Sequence, residues 1–268
     1  MSPEQKKKEK RKKSGETNPT AEMSFIEHLE ELRRRILICF IALVIVFLGI
    51  YLIDWDNKLV EFFLAPMNQA IVGKGKFQFT SPAEGFIFDL KIVFFASIFF
   101  ASPMIFYQFW KFIAPALYKN EKRYFIPFIL LSIILFVGGA SFGYFVVFPV
   151  AFKYFAKFAF EQVEINPKLN DYFSFAVRML FGFGLVFEFP LISVFLAKIG
   201  LIDTKFLNRN RKYAIIVIFT LAAILTPGPD VISQLLLAGP LWLLYELSIF
   251  LVWIFKSKET PSQSSFSG

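Results

Sequence analysis

Long stretches without a single charge constrain this chain more than any motif in it. Residues 36–53 give 18 such positions, 92–110 give 19, and 124–152 give 29, bracketed by Pro127 and Pro149. Residues 172–197 continue the pattern with only Arg178 and Glu188 interrupting, and 231–255 carry only Glu246, with Pro240 inside. A bilayer's hydrocarbon core is about 30 Å thick and takes about 17–25 helical residues to cross. Between the last two runs lie residues 213–229, 17 uncharged positions ending in Thr226-Pro-Gly-Pro229. Proline ends a helix there, so roughly 14 residues remain, short for a span but tolerable where the bilayer thins. The expected fold is therefore all-α, with six transmembrane helices, the fifth short and the sixth interrupted by Pro240.

The charges sort by side. Residues 1–35 hold ten Lys and Arg, 111–123 four, 198–212 five and 256–268 two, whereas the intervening loops hold six in total. Cytoplasmic loops retain Lys and Arg, so both termini are expected in the cytoplasm. The first run is too long for a cleaved h-region and lacks a small-residue cleavage site, so it should stay as a span. Three segments follow. Residues 1–22 are a Lys-rich disordered tail, 23–255 a membrane domain, and 256–268 a second disordered tail.

Composition closes off several chemistries. The chain is 56% hydrophobic and 19% charged, against about 45–50% and about 25% in soluble domains. Its single Cys and single His cannot supply a cysteine-based zinc or iron–sulfur site, and no other metal or cofactor motif appears. The net charge of +8 is mostly local: residues 1–13 contribute seven basic and two acidic side chains. That tail suits anionic lipid better than nucleic acid. The halves show no repeat, which counts against an inverted-repeat transporter.

Four features carry candidate chemistry. Ser24 and Glu27 have the form of a capping box, opening a helix whose Phe25, Leu29, Leu32 and Ile36 form one apolar stripe. On it Glu30–Arg34 and Glu31–Arg35 are spaced as i,i+4 ion pairs, which alone would make a solvated face. In the loop that follows the second span, Glu121 is a lone acid among Lys119, Lys122 and Arg123, beside Trp110, Phe112, Pro115 and Tyr118. It either takes a guanidinium in bidentate fashion or pairs locally. Glu188 lies mid-span, where a charge costs about 2.5–3.5 kcal/mol on insertion scales. That cost marks either a functional site or a carboxyl hydrogen-bonded to a neighbouring helix. Gly139-Ala-Ser141-Phe-Gly143 has the G-x-S-x-G form of a hydrolase, but it falls inside a span and equally spells a G-x-x-x-G packing face.

Taken together, His28-Leu-Glu-Glu31-Leu-Arg33, the Ser102–Arg123 loop motif, Tyr144–Pro149, Phe187-Glu-Phe-Pro190, Arg211-Lys-Tyr213 and Thr226–Gln234 resemble the TatC family, the multispanning core of the twin-arginine protein translocase. The order is kept across residues 23–255; Gly228 is an addition to a turn that often reads Thr-Pro-Pro-Asp. The resemblance implies a receptor for twin-arginine signal peptides of folded proteins, working in an oligomeric assembly in the cytoplasmic (inner) membrane. It implies single-span TatA/TatB-type partners, a drive from the proton motive force, no cofactor, no nucleic acid and no enzymatic step. Glu31 and Glu121 would bind the arginine pair, with Arg33, Phe112 and Pro115 supporting them. Glu188 and Gln234 would be the intramembrane polar sites of partner docking, and Pro66 and Asp230 further functional positions. An ion-coupled solute transporter built around Glu188 and Glu246 stands as the alternative.

Overall fold

The computed structural model describes residues 25–53, 56–70, 77–78, 81–113, 125–156, 166–226 and 231–256. The expected Lys-rich tail and most of the C-terminal tail, together with Ser24, Pro115, Glu121 and Asp230, lie outside the described residues. Helix α1 (Phe25–Leu52) begins directly after Ser24, with Glu27 in its first turn. It is followed by α2 (Asp56–Ala70), α3 (Glu84–Ile113), and a third rod made of α4 (Phe125–Phe142), a π-helical turn (Gly143–Val147) and α5 (Phe148–Ala156). The remainder comprises α6 (Leu169–Phe187), α7 (Phe189–Lys198), α8 (Thr204–Arg209), α9 (Arg211–Leu225) and α10 (Val231–Lys256).

Among the described residues five helical rods are long and apolar enough to cross a membrane: Ile26–Leu52, Glu84–Ile113, Ile126–Tyr154, Leu169–Lys198 and Val231–Phe255. They coincide with the first four and the last of the uncharged runs. The remaining run forms α9, whose 15 residues rise only about 22 Å. Its end is chemical. Thr226 turns extended (ψ 141°), as a residue before proline must, and its hydroxyl donates back to the Ala222 carbonyl at 3.1 Å.

Prolines shape the other rods. Pro103 inside α3 cannot donate to the Phe99 carbonyl four residues back, and the Ser102 hydroxyl takes that acceptor instead at 2.6 Å. The third rod widens into its π turn just before Pro149, relieving the ring's clash with the carbonyl four residues upstream. The fourth rod breaks at Glu188, where Pro190 sits in the first turn of α7. That helix ends in a Schellman arrangement: Gly200 takes φ +79°, and the Leu201 amide donates to the Leu196 carbonyl at 3.0 Å.

The core is built around α6. Its Tyr172, Phe175, Met179 and Phe183 are buried in one cluster with Phe63 of α2, Phe88 and Phe95 of α3, Phe148 of α5 and Leu241 of α10. The third and fourth rods cross closely because the contact positions are glycine. A Cβ at Gly139 would stand 2.6 Å from the Phe183 carbonyl oxygen, and one at Gly184 would stand 2.8 Å from the Phe136 ring. Gly139-Ala-Ser141-Phe-Gly143 is thus helical and its first glycine a packing contact, in the manner of G-x-x-x-G faces, not the strand-to-helix elbow of a hydrolase. Helix α1 rests on α3, and none of its residues from Ile26 to Leu52 is buried.

Candidate functional site

Where α1 begins, it lies against the last turns of α3. Glu31 and Arg35 are one helical turn apart and form the ion pair expected from their spacing: Arg35 Nε donates to Glu31 Oε1 at 3.1 Å, and Arg35 Nη2 donates to the same oxygen. Arg35 Nη1 reaches across to Gln108 Oε1 of α3 at 3.3 Å. One turn along each helix, the His28 and Phe112 rings stack with centroids 4.4 Å apart. Glu31 Oε2 is buried and has no hydrogen-bond partner among the described residues. Arg33, two residues past Glu31, falls on the other side of the helix (about 200° round) and is exposed. The structure therefore brings Glu31, Arg35 and Gln108 together and sets Arg33 apart from them.

The opposite side of the same α3 turn carries Trp110, which is fully buried. Its indole Nε1 donates to Ser132 Oγ of α4 at 2.8 Å, and the Ser132 hydroxyl donates to Glu188 Oε2 at 2.9 Å. Three rods are joined by this relay at the α6–α7 break. Glu188 is only 4% exposed, so the carboxyl points into the bundle. Its Oε1 has no partner among the described residues, an unmet acceptor in an apolar interior.

With Glu31 and Glu188 described, comparison with known proteins decides the family. The model of the Sec-independent protein translocase protein (TatC) family matches residues 27–240. The chain belongs to the TatC family. A TatC of Desulforapulum autotrophicum is 42% identical over 239 residues, covering 89% of this chain and 87% of that one. The TatC of Escherichia coli K12 is 38% identical over 225 residues, covering 84% and 86%. A crystal structure of the twin-arginine translocase receptor TatC superimposes with a TM-score of 0.75 at 39% identity, over 85% of this chain and 99% of that one. This chain is thus a multi-pass membrane component of the Tat protein translocation system.

Two further positions that the resemblance singled out, Pro66 and Gln234, acquire a physical reading. Pro66 is buried in α2. Lacking an N–H, it leaves the Phe62 carbonyl without its helical donor, and the Tyr144 hydroxyl from the π turn donates to that carbonyl. Tyr172 of α6 does the same for the Phe63 carbonyl at 2.5 Å. Two tyrosines thereby fasten α2 to two rods, and the proline supplies the free acceptor. Gln234 of α10 donates through Nε2 to the Phe219 carbonyl of α9 at 2.8 Å, holding the α9–α10 pair. Glu246 receives Arg211 Nη2 at 2.7 Å, a link between α10 and α9 with both side chains partly exposed. The two acids named for a transporter therefore sit in different settings, one buried in the relay and one in an interhelical ion pair.

Sequence reasoning missed Gln108, Ser132, Tyr144 and Tyr172 as functional neighbours. Gln108 and Phe112 are i,i+4 on α3 with Trp110 between them, which is a legible signal that one turn serves two faces. No signal of that kind pairs Ser132 with Glu188.

Proposed function

We propose that this chain is the receptor subunit that binds twin-arginine signal peptides of folded proteins and scaffolds the translocase around them. Six crossings, with α9 as the short fifth, leave both termini in the cytoplasm of the inner membrane, as the distribution of Lys and Arg requires. The α1–α3 junction then faces the cytoplasm. Its Glu31, held by Arg35 with one oxygen left unpartnered, carries this reading. Glu121 supplies the second carboxylate, and Phe112 and Pro115 the apolar floor. A guanidinium pair is always charged and presents planar forks of donors, so it asks for two carboxylates where a lysine pair would not match as well.

Glu188 and Gln234 are the intramembrane polar positions at which single-span TatA/TatB-type partners engage the assembled complex, and Pro66 and Asp230 support it. Between α6, α7, α8, α9 and α10 lies an apolar groove of about 690 Å³, walled by residues such as Phe189, Leu196, Tyr213 and Leu221. Transport draws on the proton motive force and uses no nucleotide or cofactor.

The deciding experiment is peptide binding to the full chain in lipid nanodiscs. Glu31→Ala and Glu121→Ala should each weaken a twin-arginine peptide by about tenfold or more, and a Lys-Lys peptide should bind the native chain worse than Arg-Arg. Unchanged binding in both variants would remove the receptor assignment. For the intramembrane site, crosslinking to a single-span partner should survive Glu188→Gln better than Glu188→Leu; equal behaviour argues against a polar contact there.

A further inference from the structure

We infer that Arg35, braced by Gln108, is a positioning residue that presents Glu31 to the incoming guanidinium by occupying only one of its oxygens. The inference rests on the receptor reading above and deepens it. A carboxylate normally meets an arginine fork with both oxygens, one per N–H. Here the fork is turned so that Nε and Nη2 both point at Oε1, while Nη1 is drawn away to Gln108 Oε1. That third bond favours the one-sided grip over a symmetrical bidentate one. Oε2 is left buried without a donor among the described residues, a condition that favours any guanidinium able to reach it.

Arg35 is not a stand-in that the peptide must evict. Its side chain is 12% exposed against 23% for Glu31, so it is the more deeply seated member of the pair and belongs to the α1–α3 joint. With Arg35 in place, Oε2 is the oxygen left for a second guanidinium, which would give one carboxylate shared by two arginines. Selectivity for arginine over lysine then follows from orientation: the bound Arg35 fixes the carboxylate plane, and a fixed plane rewards a planar donor over a point charge.

The test compares Arg-Arg and Lys-Lys peptides on the full chain in nanodiscs. Arg35→Gln should weaken the Arg-Arg peptide by about tenfold and move the ratio of the two affinities towards one. Arg35→Lys, which keeps the charge but loses the fork, should fall between. Gln108→Leu leaves the ion pair intact and should lower the ratio by about threefold, so it carries the test if Arg35→Gln does not fold. A merely structural role would weaken both peptides alike and leave the ratio unchanged, which would overturn the inference. So would tighter binding by Arg35→Gln, which would make Arg35 a competitor. Glu31→Ala separates the two levels: no loss there sinks the receptor reading itself, whereas loss there with a native ratio in the Arg35 and Gln108 variants sinks only this inference.

Discussion

The first and fourth spans are both apolar enough to cross a bilayer, yet none of the first span's apolar stretch is buried against 56% of the fourth's. Ile36, Phe40 and Ile45 of α1 are 57%, 60% and 64% exposed, while Ala176, Met179 and Phe183 of α6 have no exposure at all. In water such a difference would be untenable. In a bilayer it is natural, because lipid tails are as apolar as leucine and a span gains little by burying leucine in protein. What distinguishes the two is small residues and polar ties. The fourth rod has Gly182 and Gly184 at close crossings and Glu188 in a three-rod relay. The first has its joint with α3 at the Arg35–Gln108 contact.

That contrast can be broken in measurable ways. The largest effect should come from Gly139→Val, which forces a side chain against the Phe183 backbone and the Phe187 ring; stability in bicelles should fall by roughly 3 kcal/mol. If it does not, the third and fourth rods are not locked by their close approach. Next comes Tyr144→Phe, which leaves the Phe62 carbonyl with no donor because Pro66 supplies none. A loss of about 1–3 kcal/mol is expected, and a double-mutant cycle should show it shrinking in a Pro66→Ala background, where the new N–H can donate. Equal losses in both backgrounds would refute this role for Pro66. The smallest change should follow Ile41→Ala on exposed α1, within about 0.5 kcal/mol in the isolated chain. A cost comparable to that of a buried α6 residue would mean that protein, not lipid, covers this face.

Much of the fold was legible because a membrane span is a one-dimensional property. Five of the uncharged runs became rods, the first two starting eight to ten residues ahead of their runs, and Thr226-Pro-Gly-Pro marked the end of the short α9 in advance. The α2 helix was not foreseen: Leu59, Phe63 and Pro66 recur at helical spacing, but 15 residues of modest hydropathy do not stand out between longer runs. Within the site, Glu31–Arg35 was legible since four residues along a helix make neighbours. Arg35–Gln108 and Ser132–Glu188, 73 and 56 residues apart, were not, because such pairs exist only once the rods have chosen partners. Of the two readings of Glu188, the carboxyl hydrogen-bonded to a neighbouring helix is seen at one oxygen, while the other oxygen has no partner among the described residues.

The π turn at Gly143–Val147 has a consequence for register. A π turn holds one backbone residue more than the α-helix it interrupts, so the third rod amounts to a regular helix with a single residue inserted. Every side chain after it, Phe148 and Phe152 included, is turned by about 100° relative to an uninterrupted helix. That rotation points both rings at Phe175 of α6. Deleting one residue between 143 and 147 would restore plain helical geometry and swing this aromatic face out of the core, so the outer third of the rod depends on a one-residue surplus for what it touches.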